Sequence, residues 1–203
     1  MAVKKGFILS RSEKAAKRRL DIVEAAAACF IAKGFHQSSM RDIASVAGVS
    51  LGNLYNHFEN KAELIKGLAA LEAEENEHLL ALLTNKGNVT DILHDFTKLY
   101  FASTREPNNA ALAAEIFAEA QRNEEILEIF DVNRQRVISV LAALLSRGQE
   151  DGQIDRQLAP SIIAVLILDL VEGAALRAAL SSHDPSQDDL PTLHRMIEKA
   201  VQA

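Results

Sequence analysis

Residues 42–61 read DIASVAGVSLGNLYNHFENK, and the punctuation of that stretch decides the fold. Small and apolar residues run up to Gly48, where a left-handed backbone conformation lets the chain turn sharply at no steric cost. Val49 then tucks back toward the interior, and Ser50 offers a hydroxyl to cap the next helix. Upstream, Ser39 and Asp42 have the spacing of a reciprocal cap, which predicts a helix of about two turns with Ile43, Val46 and Ala47 on its apolar side. Downstream, Leu54 and Phe58 sit four apart and predict an inward face, leaving Ser50, Leu51, Gly52, Asn53, Asn56 and His57 outward. Ala44 and Ala47 are small enough for two helices joined by so short a turn to cross closely. The pattern is a helix-turn-helix whose second member is free to enter a DNA major groove.

The outward residues have the chemistry for that task. Gly52 has no side chain to hold the backbone off a duplex, and free N–H groups at a helix start favour phosphate. Tyr55 and His57 can donate to phosphate oxygens and Lys61 adds charge, contacts that position a protein without reading bases. Arg41, Leu51 and Asn53 are better placed for base edges. The expected DNA-contact set is Ser39, Arg41, Ser50, Leu51, Gly52, Asn53, Tyr55, Asn56, His57 and Lys61.

Charge is distributed to suit. The 203-residue chain has a formal net charge of -6, yet through Lys66 there are eleven Lys and Arg against six Asp and Glu. A polyanion should therefore meet the front third alone. The densest cluster there, Arg11, Lys14, Lys17, Arg18 and Arg19, reads equally well as the solvated start of a helix. Ile22, Val23, Ala26, Ala27 and Phe30 then recur at helical spacing up to Lys33 and Gly34, which predicts the first helix. Cys29 lies beside that stripe with no base or metal ligand at a telling spacing, so it reads as a packed thiol.

With these residues in place, the segment GFHQSSMRDIASVAGVSLGNLYNHFENKAEL, residues 34–64, resembles the tetracycline-repressor (TetR) family of transcriptional regulators. The matching positions are Gly34 and Phe35 after the first helix, the cap at Ser39, Ile43 with Ala44, the turn Ala47, Gly48, Val49 and Ser50, then Gly52, Tyr55, His57, Phe58 and Lys61. Asn53 and Ser39 stand where threonine is common in relatives, and both keep a polar side chain. The resemblance implies an all-α protein with about nine helices: an N-terminal three-helix DNA-binding domain (with its arm, residues 1–66) and a C-terminal ligand-binding and dimerisation domain (67–203). It further implies a homodimer on a palindromic operator in double-stranded DNA, released by a small-molecule effector, and acting as a repressor.

Beyond the matched segment the reading rests on periodicity. Asn60 with Glu63 predicts a cap for a helix over 61–83, carrying Leu64, Leu68, Leu71, Leu79 and Leu83. Five more helices are predicted over 89–103, 109–122, 124–151, 159–181 and 190–201, with breaks at Pro107, Gly152 and the SSHDPSQDD loop, and with Pro160 in a first-turn position. The 159–181 helix is apolar nearly all round, more than one core face can use, so its surplus face calls for a partner. Leu193, Ile197 and Val201 offer the last helix a stripe for the same four-helix bundle that relatives form.

The effector pocket implied by the resemblance has polar candidates in His94, Tyr100, Glu115, Asn133, Asp169 and Glu172, and Phe117 as a candidate wall along with Phe96, Phe101 and Phe130. Asp169 and Glu172 stand one turn apart in the most apolar helix, where unpaired carboxylates are costly, so they are expected to pair with Arg177 or Arg195 across the dimer, the alternative being a site for a cationic ligand.

Other classes draw less support. A single cysteine excludes an intramolecular disulfide and a multi-cysteine zinc site, and suits a reducing compartment, hence the cytoplasm. Lys4 and Lys5 are followed by an apolar patch of only three residues, 7–9, short of a secretory signal, and the longest apolar run, 162–168, is too short to cross a membrane. No catalytic residue, metal ligand or cofactor is expected. A helical metal- or acid-base-dependent enzyme is the competing reading, but Glu75 and His78 have no second matching pair. An effector-independent DNA-binding protein is the third.

Overall fold

The computed structural model describes residues 10–180 and 189–202; Lys4, Lys5, the patch at 7–9 and the loop 181–188 lie outside the described residues. Among the described residues there are nine α-helices and no strand, only an isolated bridge between Ile154 and Gln202. None of these helices is long and apolar enough to cross a membrane. The chain divides into two compact units, Met1–Leu68 and Ala69–Ala203.

In the first unit, α1 (Arg11–Lys33) opens on a reciprocal cap. Ser10 Oγ accepts from the Glu13 amide at 3.2 Å, and the Ser10 amide donates to the Glu13 carboxylate at 2.7 Å. The basic cluster is thus the exposed start of a helix three turns longer than the apolar stripe alone indicates. The stripe itself is buried at Ile22, Val23, Ala26 and Phe30. Cys29 is buried with it, and burial, with the Asp42 charge second, pushes its thiol pKa up, away from the reactive thiolate.

Helix α2 (Met40–Val46) starts where the sequence places it: Ser39 Oγ accepts from the Asp42 amide at 3.1 Å while the Ser39 amide donates to Asp42 at 2.9 Å. Lys33 Nζ also reaches Asp42, at 2.8 Å, and this ion pair, followed by the bonds from Ser39, holds the carboxyl well below the usual range. Gly48 has φ +64°, the left-handed value its turn requires, and Ser50 Oγ accepts from the Asn53 amide at 3.1 Å to open α3 (Leu51–Tyr55). Ile43 and Ala44 are buried, but Val46 is 60% exposed, so the apolar side of α2 is narrower than its period implies. A helix of seven residues makes two turns and can commit only one or two side chains inward.

The long α4 (Lys61–Leu83) opens with Asn60 Oδ1 accepting from the Glu63 amide at 3.0 Å. Leu64, Ile65 and Leu68 close the core of the first unit. A Cβ at Gly67 would lie 2.8 Å from Val23 Cγ2 and 3.2 Å from the Phe58 ring, so α4 and α1 approach over a glycine.

The second unit contains α5 (Val89–Thr104), α6 (Pro107–Ala120), α7 (Glu124–Glu150), α8 (Pro160–Ala179) and α9 (Asp189–Val201). The break expected at Pro107 falls just before it, between Thr104 and Pro107, and Pro107 itself is the first residue of α6, a position whose N–H no helix would use. Pro160 does the same for α8. One apolar core joins Leu79, Leu83, Leu93, Phe96, Phe101, Leu141, Leu144, Leu168 and Val171. Leu193, Ile197 and Val201 belong to this core too, so the stripe on α9 is spent within its own chain.

Candidate nucleic-acid interface

The surface made by α2, the turn and α3 follows from which side chains the core consumes. Leu54 and Phe58 are fully buried, and with Ile43 and Ala44 they fix the inner side of the motif. Ser39, Arg41, Ser50, Gly52, Asn53, Tyr55 and Asn56 are left exposed, while Leu51 and His57 are half-buried. Tyr55 is 48% exposed, a large aromatic with no role in the core. Gly52 is open enough that a Cβ would meet nothing within 4 Å. The structure thus gathers nine of the ten expected DNA-contact residues on the non-core side of one short motif.

Lys61 differs in how it is held. Its Nζ donates to the Phe35 carbonyl at 2.8 Å and sits 4.4 Å from the centroid of the Phe35 ring. The ammonium therefore also braces the turn between α1 and α2. Arg19, absent from the expected set, reaches the end of α3, where Nη1 donates to the His57 carbonyl at 2.8 Å. No period in the sequence points to that contact, because it joins residues 38 positions apart.

Four expected effector residues of the second unit belong to one polar cluster. Arg134 on α7 donates from Nη1 to both Glu172 carboxylate oxygens at 2.6 Å and from Nη2 to Asp169 at 2.6 Å. Tyr100 donates its hydroxyl to Glu172 at 2.6 Å, and burial, then the Glu172 charge, raises its pKa well above the ordinary phenol value. Next to Arg134 on the helix, Asn133 donates to the Ala69 carbonyl and to Glu72, both at 2.7 Å. The guanidinium that meets Asp169 and Glu172 is thus Arg134 of the same chain, in place of the expected pairing across a dimer with Arg177 or Arg195. Among the described residues no hydrogen bond or ion pair joins Glu115 or Phe117 to this cluster. Glu115 is half-buried on α6, and Phe117 is 59% exposed, facing away from the core that holds Phe96 and Phe101.

His94, also expected near an effector, is exposed and packs on a residue the sequence did not single out. Its ring lies 3.8 Å, centroid to centroid, from that of His194, beside a cleft lined by Thr90, Leu93, Thr97, Ile197 and Glu198. The buried Nε2 of His194 has no hydrogen-bond partner among the described residues. Burial first, then His94 and Lys98, depress the His194 pKa from 6.5 to about 4. The unfolded chain therefore binds a proton that the native one refuses between these values, and stability falls as pH drops from about 6.5 toward 4. Urea titrations across this window should show on the order of 2 kcal/mol lost, after allowing for solvent screening, and His194→Leu should remove that share of the slope. An unchanged slope in the variant would show that carboxylates alone set the acid response.

Comparison with known proteins adds independent findings. Residues 22–68 match the model of bacterial regulatory proteins of the tetR family, and residues 90–201 match the C-terminal part of BetI-type transcriptional repressors. The chain is 28% identical over 156 residues to the HTH-type transcriptional regulator UidR of Escherichia coli (strain K12), covering 76% of this chain and 78% of that one. Among solved structures it resembles Salmonella enterica GusR at TM-score 0.75 and 26% identity, covering 91% and 93% of the two chains. FadR of Bacillus subtilis, solved in complex with stearoyl-CoA, shares the fold at TM-score 0.75 and 21% identity over 89% and 95%.

Proposed function

The chain belongs to the tetR family of bacterial regulatory proteins, and on that premise we propose that it represses transcription as a dimer on a palindromic operator and releases it when a small molecule binds. The observation that carries the reading is the α2–α3 surface: a polar, partly aromatic face with Gly52 at its centre, in the part of the chain where basic residues outnumber acidic ones. Residues 1–66 take the DNA in this reading, and residues 67–203 take the effector and the second protomer. Such a chain is a regulator and not an enzyme, and works in the cytoplasm.

Dimerisation is supported by α8, which keeps Ile162 at 60% and Leu166 at 54% exposure, with Leu170 one further turn along. Spaced by four, these side chains form one apolar face, and Met196 of α9 is exposed as well. Two copies packed there would present two α3 helices to half-sites about one helical turn, roughly 34 Å, apart. The effector site is best placed at Tyr100, Asn133, Asp169 and Glu172, with Arg134 added. Bound stearoyl-CoA in FadR shows that a protein of this fold can hold a small molecule. A single helix, α4, contributes residues to both units and is the natural carrier of a shift between DNA-binding and released states. A 100-fold loss of operator affinity asks the effector for about 2.8 kcal/mol of preference between the two states.

Selection of bound fragments from random DNA tests the proposal. The purified chain should enrich an inverted repeat and bind it with a steep salt dependence, as several phosphates are neutralised. Enrichment of no sequence, or of sites without two-fold symmetry, would overturn it.

A further inference from the structure

We propose that Arg19 is a positioning residue for operator binding: from α1 it locks the far end of the recognition helix, rather than spending its charge on DNA. The inference rests on reading α3 as the DNA-facing helix. That helix has only five residues, too few to be stable on its own, so its direction depends on what holds each end. Ser50 secures the start through the Asn53 amide, and Leu54 plugs the middle into the core. At the far end the chain leaves the helix through His57 and Phe58, and there Arg19 makes two contacts at once. Its Nη1 donates to the His57 carbonyl at 2.8 Å, and its guanidinium carbon lies 4.0 Å from the centroid of the buried Phe58 ring.

The two contacts suit arginine in particular. A planar guanidinium can lie over the Phe58 face while a nitrogen at its edge donates in plane to the His57 carbonyl; a lysine here would have a single nitrogen to serve both, which works at Lys61 only because the Phe35 ring and carbonyl belong to one residue. Among the described residues the neighbouring Arg18 has no such engagement; its guanidinium approaches Asp21, at 3.7 Å, one turn along the same helix. Arg19 is therefore singled out within the basic cluster by what it touches, since composition makes all five members alike.

The test compares Arg19→Met, Arg19→Lys and the unaltered protein on the duplex that the unaltered protein selects, titrated at several salt concentrations. A strut predicts that Arg19→Met lowers operator affinity about 10- to 30-fold with the salt slope unchanged. Arg19→Lys should stay impaired despite its charge. A slope reduced by about 0.9 would show that Arg19 neutralises a phosphate, and full rescue by lysine would show that charge alone matters; either overturns the proposal. Amide hydrogen exchange without DNA supplies a second readout. Arg19→Met should speed exchange at Asn56, His57 and Phe58 while the amides of Ala26 and Phe30 keep their protection. Unchanged exchange at the end of α3, or uniform loss across α1 as well, would refute the strut even if operator binding itself failed.

Discussion

A chain carrying Gly52→Glu should melt at or slightly above the temperature of the unaltered protein and yet bind operator DNA more than about 100-fold more weakly, a loss of about 2.8 kcal/mol. The two halves of that expectation have separate causes. In the free protein a side chain at position 52 meets nothing within 4 Å, and replacing a helical glycine commonly stabilises by about 0.5 to 1 kcal/mol. Against a duplex the same side chain places bulk and negative charge where backbone and phosphate should come close. Gly52→Ala should lie between, because a methyl group obstructs without repelling. Melting curves and fluorescence titrations on one protein preparation provide both measurements. Binding by Gly52→Glu within threefold of the unaltered protein would show that α3 does not face the DNA.

The second large effect belongs to Arg134. Among the described residues, replacing it with methionine leaves Glu172 with Tyr100 as its donor and strips Asp169 of its partner, while Glu72 adds another carboxylate nearby. Losing one member of a partly buried ionic group should destabilise the chain by about 2 to 3 kcal/mol, more than the median surface pair contributes. Adding Glu172→Gln should recover a large part of that loss, because the uncompensated charge goes with the partner. The coupling between the two substitutions should be on the order of 1 to 2 kcal/mol in urea unfolding. Strictly additive effects, or a loss under 0.5 kcal/mol for Arg134→Met, would place the cluster among screened surface pairs and weaken its candidacy as the effector's contact site.

Both predictions use positions whose legibility in the sequence differs. Gly52 and its neighbours were readable because a helix-turn-helix is specified locally, by a cap, an inward pair and a left-handed glycine within about twenty residues. Asp169 and Glu172 were readable as an anomaly, two carboxylates in an apolar helix, but not their solution. Their partner lies 35 and 38 residues away, on a helix whose rotation about its own axis decides whether Arg134 faces them. The same holds for α9, whose stripe of Leu193, Ile197 and Val201 has an unambiguous period and an ambiguous destination, since a stripe says that a face is buried and not against what.

The sequence by itself determined the nine helices found among the described residues and where most of them start. Ser39 with Asp42, Gly48, Ser50 with Asn53, and Asn60 with Glu63 act over three or four residues or on one backbone angle, so neighbours in the chain are sufficient to set them. Only the tertiary structure decided that Val46 faces outward, that α8 leaves Ile162 and Leu166 bare, and that Arg19 and Arg134 reach residues far along the chain. Those outcomes depend on how packed helices cross and rotate against one another, and a long flexible arginine can satisfy any of several carbonyls or carboxylates until that packing brings one of them within reach.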